Sequence, residues 1–239
     1  RGVGRQWYYA RLLALAASAG AADRLRRLAR RLEDSGRSLM SVGVYRSLLD
    51  SAGEGATRED ISRAAIVRAQ FYQRVGLLPQ ARTILDDATA ALGEDAGPGH
   101  EVDDALAVVT LHRAQLDFHV SAFADGERRL SVLLEETRGE LPVELRSRIY
   151  VELAWAQLQL GRTRESVRTS ELVLRLLDAH AHAELVARTH TQLGFALYKE
   201  SDYAGSVMHY DRALRLRRQI GDSLAVARTL NNLGLSYRA

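Results

Sequence analysis

Three columns of residues recur along this 239-residue chain at a spacing close to 40, and no other feature restricts its fold as much. One column is small: Ala29, Ala69, Ala114, Ala154, Gly194 and Gly234. A second small column follows 12 residues later, at Ser41, Ala81, Gly126, Ser166 and Ser206. A turn column lies between them, at Gly36, Gly76, Ser121, Gly161 and Ser201. Each period therefore reads as a helix, a reversal and a second helix. Small residues on both helices let the two backbones approach where they cross. Glycine or serine suits the reversal, because glycine reaches positive φ without steric cost. The interval from Ala69 to Ala114 is longer by five residues, and the Gly- and Pro-rich stretch Gly93 to Gly99 is read as the loop that absorbs them.

Larger apolar residues hold the same phase, with Leu153, Leu193 and Leu233 in one column and Leu48, Ala88, Leu133, Val173 and Ala213 in another. One such unit cannot bury its own apolar face, so neighbours stack and share a continuous core. Composition agrees: the chain has three prolines, and Ala, Leu and Arg, all good helix formers, dominate it. The expected fold is all-α, a right-handed α-solenoid of stacked helix-turn-helix repeats with no sheet. The phase divides residues 1–239 into a trailing helix at 5–21, repeats at 22–61, 62–106, 107–146, 147–186 and 187–226, and a further first helix at 227–239. A chain that starts and stops inside a unit reads as a fragment of a longer one.

Leu193-Gly194, Leu197, Asp202-Tyr203, Tyr210 and Ala213 resemble the tetratricopeptide repeat family in size and spacing, and Ala227 to Tyr237 resembles it more closely still. The likeness is to a variety of about 40 residues. In large bacterial signalling proteins such arrays are joined to nucleotide-switch, DNA-binding or caspase-like protease domains. The resemblance implies a surface for protein or peptide partners, on a signalling or scaffold module, with any effector domain outside this sequence. Arg68 and Arg113 depart from the pattern by replacing the leucine before the small residue. Asp117 and Gln157 stand where an apolar residue is usual.

The residues give little sign of chemistry. There is no cysteine, which excludes disulfides and thiolate sites and is compatible with a cytoplasmic location. The longest apolar run, Leu12 to Ala17, is too short for a bilayer, which needs about 20 residues. His112 and His119, and His180 and His182, lack the acidic partners of a metal motif. Phosphate loops and nucleophile elbows are missing as well. Neither catalytic residues, nor a metal, nor a cofactor is expected. The charge of +3 comes from 33 bases interleaved with 30 acids, nearly all the bases being arginine, so a nucleic-acid partner is not implied.

The resemblance places the first helix of each unit on a concave groove. Arg148, Arg188 and Arg228 are then one repeat apart and form a row, beside an aromatic strip of Trp155, Phe195 and Tyr198. Asn231 and Asn232 offer amides that both donate to and accept from a peptide backbone. One reading makes these eight residues a binding site for an acidic peptide or protein segment. The other makes the arginines ties to a neighbouring helix and the aromatics part of the core between repeats.

Overall fold

The computed structural model describes residues 21–34, 38–52, 57–94, 103–138 and 140–239. Among them are eleven helices and no strand: α1 Ala21–Asp34, α2 Ser38–Ala52, α3 Arg58–Arg74, α4 Leu78–Glu94, α5 Asp104–His119, α6 Phe123–Glu136, α7 Val143–Gln159, α8 Thr163–Leu176, α9 Ala183–Lys199, α10 Tyr203–Ile220 and α11 Ser223–Arg238. The described residues are all-α, built of successive helices joined by tight turns. The expected helix at 5–21 and the turn at Gly36 fall outside the described residues, apart from Ala21, which opens α1. Of the stretch read as a loop, Gly93 and Glu94 are the last residues of α4, and 95–99 lie outside the description.

At every described position the turn column adopts the left-handed conformation, with φ of 79° at Gly76, 62° at Ser121, 78° at Gly161 and 62° at Ser201. That single residue reverses the chain within a few positions, so the second helix comes back antiparallel to the first. Two of the four positions are serine, which lacks glycine's freedom in this region.

Two compact units divide after Arg113, within α5. In the first unit α1 packs on α2, α2 on α3 and α3 on α4. Its core gathers Leu25, Ala29, Leu32, Val44, Tyr45, Ala64 and Val67. Helix α3 starts on a capping box: the Asp60 amide donates to Thr57 Oγ1 (3.2 Å) and the Thr57 amide to Asp60 Oδ2 (3.0 Å). The same buried carboxylate accepts from Arg26 Nε at 2.8 Å and Arg26 Nη2 at 2.5 Å. Arg113, in the column where leucine is usual, is buried and donates to Asp86 Oδ1 at 2.6 Å.

In the second unit each helix from α6 to α11 packs on the next, and α7 also meets α9, as α9 meets α11. Val151, Val173, Leu177 and Val186 form one apolar cluster there. Two further departures from an apolar pattern, Asp117 and Gln157, find partners 12 residues on, across the helix pair, as does small-column Ser166. Buried Asp117 accepts from Arg129 Nε at 3.4 Å, Gln157 Oε1 accepts from Thr169 Oγ1 at 2.9 Å, and Ser166 Oγ donates to the Ala154 carbonyl at 2.7 Å. A polar pair with its bonds made inside the protein is tolerated where an unpaired group would cost about 1–3 kcal/mol.

Candidate functional site

The eight candidate residues all belong to the second unit, on its first helices α7, α9 and α11. Seven residues separate Arg148 from Trp155 and Arg188 from Phe195, so each pair shares one helix face. Trp155 and Phe195 meet across α7 and α9 with ring centroids 6.4 Å apart and tilted by 35°. Both remain half-buried, not sealed in the core. Lys199 Nζ lies 5.2 Å from the Phe195 centroid, a cation on an aromatic face that the sequence had not singled out. Tyr198 turns toward Tyr203 of α10, with centroids 5.6 Å apart. The aromatic strip thus holds together at Trp155 and Phe195, while Tyr198 is paired elsewhere.

The three arginines differ. Arg188 Nη2 donates to Glu152 Oε1 at 2.9 Å, a carboxylate of the adjoining helix α7. Gln115 Nε2 donates to the same oxygen at 2.9 Å. Glu152 is nearly buried, and these two partners are what make a charge acceptable there. The middle member of the row is therefore already engaged by a neighbouring unit. Arg148 is half-buried and Arg228 exposed, and among the described residues neither forms a hydrogen bond or ion pair. Sequence columns did not pair Glu152 with Gln115 or Arg188, because the offsets, 37 and 36 residues, run diagonally to the 40-residue phase.

Arg217, near the end of α10, bonds the Ala225 carbonyl at 3.1 Å and the Thr229 hydroxyl of α11. Burial lowers its basicity below the ordinary arginine value; Asp222 opposes this, and the charges of Arg188 and Arg228 add to it. Asn231 is exposed on α11, and Asn232 beside it is half-buried. Asp222 caps α11 by accepting from the Ala225 amide at 3.0 Å, which fixes where this helix begins.

The described residues contain no group of three or more His, Asp or Glu placed to hold a metal ion. No described helix is long and apolar enough to cross a membrane.

Residues 185–239 match the tetratricopeptide repeat family. No curated protein matches the sequence. Among solved structures, the chain is similar to BtubC from P. vanneervenii, with a TM-score of 0.63 and 19% identity over 95% of this chain and 83% of that one. It is similar to a Rap protein complexed with Competence and Sporulation Factor, with a TM-score of 0.66 and 12% identity over 88% of this chain and 60% of that one. A third likeness is to the Signal Transduction ATPase with Numerous Domains protein with a tetratricopeptide repeat sensor from Pyrococcus horikoshii. There the TM-score is 0.66 and the identity 13%, over 89% of this chain but 34% of the other. At these identities the likeness is one of fold.

Proposed function

We propose, from the match of residues 185–239 to the tetratricopeptide repeat family, that this chain is a non-catalytic interaction module whose first helices present a groove to a peptide or protein segment. The observation that supports this most is the half-buried Trp155–Phe195 pair on successive first helices, with Arg148 and Arg188 each seven residues before its ring on the same helix. Half-exposed aromatics beside guanidinium groups favour an occupant with apolar anchors and carboxylates. Arg188 contributes less to binding than its place in the row suggests, because Glu152 holds it. Exposed Asn231 and half-buried Asn232 of α11 are the amides that would meet a peptide backbone.

A regulatory role for an attached effector goes with this reading. The fold likeness to a signal-transduction ATPase covers about a third of that chain, which suits a sensor segment of a larger regulator. A caspase-like protease or a DNA-binding domain is the alternative effector. The segment would act in the cytoplasm.

Fluorescence titration tests the groove. Overlapping peptides, half of them acidic, are measured against the parent, Trp155→Ala and Arg168→Glu, the last on exposed Arg168 of α8. Acidic peptides should bind the parent and Arg168→Glu alike, and Trp155→Ala at least tenfold more weakly. Equal affinities for all three proteins would make the aromatic pair structural.

A further inference from the structure

His190 of α9 and His209 of α10 face each other with their Nδ1 atoms 3.0 Å apart and their ring centroids 5.1 Å apart. His190 keeps only 8% of its surface exposed. A contact between two like nitrogens requires one to donate and the other to accept. It therefore forms between one ring protonated on Nδ1 and one protonated on Nε2. One added proton leaves the contact standing, as an imidazolium that donates to a neutral ring. A second proton sets two N–H groups against each other at the same distance, and the contact is lost.

Arg212, on α10 three residues beyond His209, opposes charge on both rings. Glu171 of α8 and Asp202 at the start of α10 favour it on His209. The described residues place no third metal ligand beside this pair, and its two nitrogens share a proton site.

We propose that the His190–His209 pair is a proton-operated latch between α9 and α10, closed at neutral pH and released on acidification. Burial pushes His190 down to about 4, with the charges of His209 and Arg212 adding to the effect. Burial also lowers His209, and Arg212 adds to that while Glu171 and Asp202 oppose it. The two rings share one contact and titrate as a unit, each held below the ordinary histidine value. A histidine whose folded value is depressed takes up protons more readily when unfolded. Its stabilisation is complete above the unfolded value near 6.5 and is lost as pH falls toward 4. Helix α9 also carries Arg188 and Phe195, so release of the latch disturbs the groove. That consequence rests on the function proposed above; the latch itself does not.

Long-range proton–nitrogen spectra of the histidine rings in the whole chain test the idea. At pH 7.5 the two rings should show opposite tautomers, and on acidification both should titrate below the ordinary value near 6.5. Identical tautomers, or two midpoints at the ordinary value, would overturn the latch. A second measurement compares thermal unfolding at pH 7.5 and pH 5 for the parent and for the double variant His190→Gln/His209→Gln, which keeps a polar pair without titrating. The parent should lose about 5 °C and the double variant less than half of that. Equal losses would overturn the latch as well. Neither measurement needs a partner, so failure of the latch is read separately from failure of the groove.

Discussion

The Tyr210 ring of α10 lies directly against Gly194 of α9, so closely that a Cβ built on the glycine would meet ring carbons at 2.9 to 3.0 Å. Tyr210 is fully buried, and Ala213 and Leu214 beside it complete the seat. Gly126 of α6 likewise lies against the Phe118 ring of α5, so at these two small positions one helix accepts a bulky side chain from another.

A contrast between two glycines of that column follows. Gly194→Ala forces the Tyr210 ring to move, while Gly234→Ala meets nothing within 4 Å and also improves helix propensity. We expect Gly194→Ala to destabilise by ~1–3 kcal/mol and Gly234→Ala to be neutral or slightly stabilising. Urea unfolding of the two variants checks this, and equal midpoints would show that the packing of α10 on α9 is not as described.

The serines at the turns give a prediction of opposite sign. Ser121 and Ser201 sit at φ 62°, where a side chain costs roughly 1–2 kcal/mol and glycine costs nothing comparable. Ser201→Gly should raise stability by about 0.5 kcal/mol, the relief of strain exceeding the added freedom of the unfolded chain. The matched control, Gly161→Ser, should lower it by a similar amount. Differential scanning calorimetry of both variants reads the pair of signs.

Asp60 joins a helix cap to an ion pair, so its loss removes both. Asp60→Ala should cost about 2 kcal/mol, against a few tenths for exposed Asp23→Ala, although both carboxylates bond Arg26. Burial raises the Asp60 value, but the bonds from Arg26 and Thr57 outweigh it and leave it below the ordinary carboxylate range. A depressed carboxylate stabilises the fold above its unfolded value near 3.9 and ceases to do so as pH falls through its folded value. Asp60→Asn should therefore flatten the acid end of the stability profile, below about pH 4, in circular dichroism melts.

Arginine 228, and not 188, is the sound place to probe groove charge. Reversing Arg188 sets a carboxylate against buried Glu152 and so confounds binding with folding. Arg228→Glu changes an exposed group and should leave the melting temperature within about 2 °C of the parent. Affinity for an acidic peptide should fall about tenfold at low salt and by less at high salt. An unchanged affinity at both salt concentrations would remove Arg228 from the binding surface.

Among the described residues the repeat phase pointed to the four left-handed turns and to the close contact at Gly194, because each depends on residues within one period. Gly76, Ser121, Gly161 and Ser201 reverse the chain by a local backbone conformation, and Ser166 meets Ala154 because both lie on one antiparallel pair. Pairs between two side chains are a different matter. Arg188 pairs with Glu152, and His190 with His209, through rotamers and inter-helix offsets that no column of equivalent positions encodes. The same arginine column holds an engaged side chain at Arg188 and, among the described residues, ones without a hydrogen bond or ion pair at Arg148 and Arg228. Sequence determined that these groups lie one repeat apart; tertiary packing decided which found a partner, because a charge is settled by what lies within a few ångströms of it and not by its period.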